Sequence, residues 1–339
     1  MVFGLFIAAA SGVLAALAIG FVVRHAARLG LIQPPNARSS HITATPVGGG
    51  IGIVLGSAVA GLFTVGGEPR LVPAVLLASI GFAVLGLWDD LRPLPAVVRL
   101  AVQLVLVAVA LVVVSPWVSA TGGDARGVTA LVCALLTLAI VYWVNLYNFM
   151  DGIDGVAGSE ALFLLLTPLG LALISTPALS TNPLFWWPTA VAASVAAFLR
   201  FNWAPARIFM GDVGSTFLGF LIAIFAIFEV RAGWLSLSAA LILPACFITD
   251  GTLTLLRRAL QGENIMTAHR RHAYQQMARR IGSHGRVTLA MTAINLLWLL
   301  PLAILAQMAI AFGPMLVITA YTPLAFLAFA AGAGRPEHA

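Results

Sequence analysis

Eleven apolar stretches, each of about 20 residues and so long enough to cross a bilayer as a helix, divide this 339-residue chain. They fall at about 2–23, 47–66, 71–88, 97–115, 128–147, 156–174, 185–201, 213–230, 233–255, 287–309 and 311–332. Hydrocarbon offers a backbone no hydrogen bonds, so each stretch must close its own ladder as a helix. With 61% of the residues hydrophobic and 9% charged, no water-soluble fold suits the chain. The expected fold is therefore all-α, a polytopic membrane bundle of about eleven transmembrane helices forming a single integral membrane domain over residues 1–339. The first stretch is too long for a signal-peptide core and is followed, not preceded, by Arg24 and Arg28. It reads as a retained anchor that starts outside.

Basic residues near span ends accumulate in cytoplasmic loops. All 18 basic residues here are arginine, and with the N-terminus outside and the C-terminus cytoplasmic only Arg70, Arg126 and Arg231 fall on the outer side. The net charge of +6 then reports topology, and no nucleic-acid partner is expected. Cys133 and Cys246 lie inside spans without zinc-type spacing and read as packing residues.

The same orientation places Asp89, Asp90, Asp151, Asp154 and Asp212 at span ends on the cytoplasmic face. Carboxylates beside hydrocarbon are costly, and five on one side imply a polar catalytic site at the membrane surface. The loops that would build it are 24–46, 89–96, 148–155, 202–212 and 257–286. In the first, Arg38 and His41 precede the run Gly48-Gly49-Gly50, a combination suited to phosphate; the spacing of Gly48, Gly52 and Gly56 equally suits close helix packing. Adjacent Asp89 and Asp90 repel each other unless a cation or proton is shared. Asn145, Asn148, Asp151 and Asp154 recur every three residues, so on a helix they form one polar stripe whose oxygens suit Mg²⁺. Asp212 opens the eighth span, where it either caps the helix or joins a nucleotide-diphosphate site with Phe209 to stack on a base and Asn202 to hydrogen-bond it. His269, Arg270, Arg271 and His272 read as a pyrophosphate clamp, whereas Arg279 and Arg280 are accounted for by a basic interfacial helix.

The strings Trp-Asp-Asp (88–90), Asn-Leu-Tyr-Asn-Phe-Met-Asp-Gly-Ile-Asp-Gly (145–155), Asn-Trp-Ala-Pro-Ala-Arg-Ile-Phe-Met-Gly-Asp-Val-Gly-Ser (202–215) and His-Arg-Arg-His (269–272), in that order, resemble the polyprenyl-phosphate N-acetylhexosamine-1-phosphate transferases. The resemblance implies transfer of a sugar 1-phosphate from a UDP-N-acetylhexosamine to undecaprenyl phosphate, giving a lipid-linked diphosphosugar and UMP, with Mg²⁺ required and Mn²⁺ as its substitute. It places the metal on Asn148 and Asp212, and Asp151 or Asp89 toward the lipid phosphate. Asp154, Asn202 and Phe209 fall near the uracil, and His269 and His272 on the diphosphate or sugar side. Asp89, Asp90, Asp151 and Asp154 are thus the catalytic candidates, and Arg38, His41, Asn145, Asn202, Phe209, His269, Arg270, Arg271 and His272 the substrate-binding ones.

The peptidoglycan branch of the family, which acts on UDP-MurNAc-pentapeptide, carries three consecutive histidines and a lysine in the first loop. This chain has neither, and resembles the O-antigen-initiating branch of the bacterial inner membrane instead. The phospho-MurNAc-pentapeptide transferase is the alternative, and a polyprenyl-linked or proton-coupled transporter the rival of another class. Transporters bind near the bilayer midplane, where only Asp250 and Glu160 are candidates. The expected partners are undecaprenyl phosphate, the UDP-sugar and membrane lipid. A homodimer is compatible with the chain, and the sugar stays open among GlcNAc, GalNAc, FucNAc and QuiNAc.

Overall fold

The computed structural model of the chain describes residues 2–33, 44–118, 126–267 and 269–336. Arg38 and His41 lie outside the described residues. In chain order the helices are α1 (Val2–Leu29), α2 (Gly50–Thr64), α3 (Leu71–Leu91), α4 (Ala96–Val118), α5 (Arg126–Phe149), α6 (Val156–Ser175), α7 (Trp186–Asn202), α8 (Asp212–Arg231), α9 (Leu237–Ile242), α10 (Ala245–Leu260), α11 (Ala273–Ile281), α12 (His284–Ile294), α13 (Leu300–Met308) and α14 (Gly313–Ala331). Two short strands, β1 (Ile32–Gln33) and β2 (Thr45–Pro46), pair antiparallel between α1 and α2.

Among the described residues ten helical stretches are long and apolar enough to cross a membrane, where the sequence suggests about eleven. The difference is the expected span 233–255, which is broken into α9 and α10 at Leu243-Pro244. Proline lacks the N–H that would continue the ladder, and its ring clashes with the preceding turn. A second proline, Pro301, follows a π-helical turn at Asn295–Leu299 that joins α12 to α13 as one span, His284–Met308. That turn widens the helix where the proline ring would otherwise collide.

α8 is the central pillar and the most deeply buried of the ten spans. It packs against α3, α5 and α2, while α1 lies on α7 and α2. The contact with α2 is possible because Gly50 meets Gly214 backbone to backbone. Gly52 and Gly56 likewise face the backbone of α1, with no room for a side chain. Of the two readings of the glycine run, close packing therefore describes Gly52 and Gly56.

The spans alternate, so one end of the bundle collects the C-terminal ends of α1, α3, α5 and α7 and the N-terminal ends of α4 and α8 around a single cavity. α14 returns to the same end, where Gly334 N–H donates to the Arg271 carbonyl at 2.8 Å. Arg70, Arg126 and Arg231 sit at the opposite ends of α3, α5 and α8.

Candidate active site

The cavity at this end holds about 910 Å³. Its walls bring together Asp89, Asp90, Asn148, Asp151, Asn202, Phe209, Asp212, His269 and His272, together with Arg99, a basic residue that follows the Asp pair, and Gln275, which no sequence motif marks.

The adjacent carboxylates of α3 are kept apart by different partners. Asp90 reaches across to the start of α8, accepting from the N–H of Asp212 at 2.9 Å and of Val213 at 3.1 Å. Free N–H groups and the helix dipole make that end a site for negative charge. Asp90 therefore caps a helix 122 residues away, a role for which Asp212 is the local candidate in the sequence. Asp89 accepts from Leu94 N–H at 2.6 Å and from Arg99 at 2.5 Å. The same Arg99 nitrogen lies 3.3 Å from Asp212, so this guanidinium is the cation between two of the site's acids.

Asp212 also receives the Asn148 amide at 2.9 Å, and that amide donates to Ser215 at 2.8 Å. The stripe on α5 therefore meets the first turn of α8. Asn145, one turn deeper, donates to Gln103 on α4 at 2.6 Å and to the Val141 carbonyl at 2.7 Å and stands away from the cavity wall. Its expected substrate contact is replaced by a bond between two spans. Beyond the end of α5, Asp151 sits in a turn closed by its N–H on the Asn148 carbonyl at 3.2 Å. Burial, then the charges of Asp212, Asp90 and Asp154, push the Asp151 carboxyl well above the ordinary carboxylate range.

Asn202 and Asp154 hold the loops that frame this turn. The Asn202 carbonyl accepts from Gly155 N–H and its amide donates to the Ile208 carbonyl, both at 2.9 Å. Both polar ends of a side chain expected to read a base are thus engaged with main chain. Asp154, 5% exposed, accepts from Ala206 N–H at 3.1 Å, faces His284 at 3.5 Å and takes the Thr288 hydroxyl on its carbonyl at 2.7 Å. It ties 204–206 to α12 from behind the wall, where direct catalytic contact is closed to it. Phe209 lines the cavity; its N–H donates to Pro46 and its carbonyl accepts from Gly49, both at 2.9 Å, which fixes the half-buried ring.

The clamp expected from the last loop is divided. Arg271 pairs with Glu263, which also takes Arg258 at 3.0 Å. Arg258 is only 2% exposed and donates to Asn264 and Thr267, so it organises a strap that sets Ile265, Met266 and Thr267 on the cavity wall. Arg271 and then Arg258 hold the Glu263 carboxyl below its ordinary value. The Arg271 guanidinium is therefore engaged within the loop and is not part of the cavity lining; Arg270 stands outside the lining too, with its carbonyl accepting from Arg279 at 3.0 Å. The two histidines remain. Their rings stack at 4.9 Å and 27°. Burial, followed by the neighbouring His272, Arg258 and Arg271, pushes His269 down to about 3, so its imidazole is neutral at ordinary pH.

The last loop also docks on the Asp151 turn, because Tyr274 donates its hydroxyl to the Phe149 carbonyl at 3.0 Å. A Cβ at Gly152 would overlap both that hydroxyl and the Gln275 amide. Gly152→Ala should overpack this junction by about 1–3 kcal/mol. A lower melting temperature in detergent and a slower reaction are expected together; a variant matching the parent in both would show that the two loops do not depend on each other.

A multi-pass helical bundle with an acidic cavity at one end of its spans, bridged by an arginine and walled by paired histidines, has the form of a membrane enzyme that handles a charged substrate. The family described as glycosyl transferase family 4 matches residues 72–229, the stretch from α3 to α8 that holds Asp89 through Asp212. The chain is 31% identical over 334 residues to the decaprenyl-phosphate N-acetylglucosaminephosphotransferase of Mycobacterium tuberculosis, covering 88% of this chain and 80% of that one. It is 30% identical over 291 residues to a probable undecaprenyl-phosphate N-acetylglucosaminyl 1-phosphate transferase of Bacillus subtilis, covering 82% and 78%. Against the undecaprenyl-phosphate alpha-N-acetylglucosaminyl 1-phosphate transferase of Yersinia pestis the identity is 28% over 327 residues, covering 92% and 87%. The chain belongs to glycosyl transferase family 4, with the polyprenyl-phosphate N-acetylhexosamine-1-phosphate transferases.

Proposed function

We propose that the chain transfers N-acetylglucosamine 1-phosphate from UDP-N-acetylglucosamine to undecaprenyl phosphate, giving undecaprenyl-diphospho-N-acetylglucosamine and UMP. The carrying observation is the convergence of Asp89, Arg99, Asn148, Asp151, Asp212 and two histidines on one cavity at the ends of membrane spans. The sugar follows the names of all three relatives and the undecaprenyl carrier those of two, the third naming decaprenyl phosphate. The arginine distribution supports placing this end of the bundle in the cytoplasm of a bacterium, at its inner membrane. The product would open an envelope polysaccharide such as O-antigen.

In the transfer, an oxygen of the lipid phosphate bonds to the sugar-bearing phosphorus, and the bond from that phosphorus to the bridging oxygen breaks as UMP leaves. The acceptor's second pKa near 6 leaves it mostly dianionic at neutral pH, so it needs positioning and charge neutralisation more than a base. Arg99 and the ring nitrogens of the histidine pair supply fixed groups for phosphate oxygens, and Asp89 holds Arg99 in place. Mg²⁺, or Mn²⁺ in its stead, fits this donor set: the Asp212 carboxylate and the Asn148 side-chain amide, which donates to it at 2.9 Å, bring two hard oxygen donors to one place beside Asp89, Asp90 and Asp151. Held by Asn148 and Asp212, the ion would neutralise the diphosphate.

A panel of UDP-sugars offered to the purified protein with undecaprenyl phosphate tests the proposal. UDP-N-acetylglucosamine should give the lipid-linked diphosphosugar. Product from a different donor alone would replace the sugar; no product from any donor would remove the reaction.

A further inference from the structure

We propose that Asp250, a carboxylate of α10 behind the cavity wall, is a positioning residue for the transfer: it holds His272 and the first turn of α11, and through them the histidine pair and the Asp151 turn. The inference rests on the proposed transfer and adds to it a residue outside the cavity.

Asp250 is 5% exposed, yet all its neighbours address it as an acceptor. One oxygen takes the N–H of Ala273 at 2.8 Å and the hydroxyl of Thr254 at 3.1 Å; the other takes the N–H of Tyr274 at 2.9 Å. The first oxygen also lies 3.4 Å from Nδ1 of His272, a ring only 1% exposed. At this distance the contact is electrostatic, without a hydrogen bond, and a fixed carboxylate beside one imidazole nitrogen favours one orientation of the ring, so the other nitrogen is presented in a set direction.

Two routes lead from this carboxylate to the cavity. The His272 ring stacks on His269 and stands 6.5 Å from the Phe149 ring, and both histidines line the wall. The first turn of α11 carries Tyr274, whose hydroxyl donates to the Phe149 carbonyl two residues before Asp151. One buried group therefore sets the last loop against the end of α5. An uncharged isostere cannot reproduce it: an asparagine amide would turn a donor toward one of the two N–H groups and leave it unsatisfied inside the protein.

Steady-state kinetics on the purified full chain with UDP-N-acetylglucosamine and undecaprenyl phosphate test the role of Asp250. Asp250→Asn should lower kcat by about 10–100-fold, the range for groups that orient a functional ligand, while the donor KM moves less than about threefold because the nucleotide end is not touched. Asp250→Glu, which restores the charge, should recover part of the loss. His272→Gln should lower kcat as well, and adding Asp250→Asn to it should cost little more, since the two act as one unit. Losses that multiply in the double variant, a change confined to KM, or full kcat in Asp250→Asn would each overturn the inference. Should Asp250→Asn fail to give monodisperse protein, Thr254→Val removes one donor from the carboxylate, and the same additivity criterion against His272→Gln decides. A parent enzyme that makes no lipid-linked product removes the proposed transfer instead.

Discussion

Asp212→Asn and Asn148→Ala each reduce transfer by at least about 10²–10³-fold, the scale seen when a preorganised charge-stabilising group is removed, while the protein accumulates and melts as its parent does. The folded structure gives the reason for both halves of that expectation. The first turn of α8 is capped by Asp90, not by the Asp212 side chain, so the helix keeps its N-terminal partner in Asp212→Asn. What is lost is the carboxylate that meets Asn148 at 2.9 Å and Arg99 at 3.3 Å. Mg²⁺ takes few protein oxygens and fills its remaining positions with water and phosphate, so removing either oxygen of this pair leaves the proposed ion poorly held. Rates measured across a Mg²⁺ titration check it. Near-parental activity at limiting Mg²⁺ in either variant would remove Asn148 and Asp212 as its ligands.

Asp151→Asn slows turnover by about 10²-fold or more, the contribution of a positioned acid or base, and traps nothing on the protein; Asp89→Asn does the same by releasing Arg99. Asp151 is the carboxyl best placed to be mistaken for a nucleophile, since it projects from the turn after α5 into the cavity. Burial and the charges of Asp212, Asp90 and Asp154 push its carboxyl up from the ordinary carboxylate range, which disfavours the charged form that attack on phosphorus requires. The lipid phosphate brings its own negative charge and needs no such help. Mass spectrometry of enzyme incubated with donor alone checks it: an adduct on Asp151, Asp89 or Asp90 would replace direct attack by a two-step route.

The spans, their number to within one and the gathering of the acids at one end are legible in the sequence because hydropathy and alternation are local signals. The broken ninth span is visible afterwards in Pro244, but an apolar run of this length hides it. The roles of individual acids are not local. Asp90 caps a helix 122 residues on, and Arg99 reaches Asp212 across 113 residues, so no window of sequence contains either pair. Asn202 likewise looks free in its loop until the fold brings Gly155 to it from 47 residues away. Arg271 is the exception, since Glu263 stands eight residues before it and an opposite charge at that distance is a readable hint. The stripe of four polar residues on α5 divides for a geometric reason: Asn148 reaches the α8 turn, while Asn145 is deep enough to meet Gln103 within the bundle.

The most direct measurement is UMP release from UDP-N-acetylglucosamine by purified, rigorously delipidated enzyme, with and without added undecaprenyl phosphate. Release should be absent with donor alone, appear when the lipid phosphate is added, match the lipid-linked diphosphosugar mole for mole, and disappear in Asp212→Asn. A stoichiometric burst of UMP without lipid would contradict direct attack. No UMP in the complete mixture, or the same UMP from Asp212→Asn, would contradict the assignment of this cavity as the site of sugar-1-phosphate transfer.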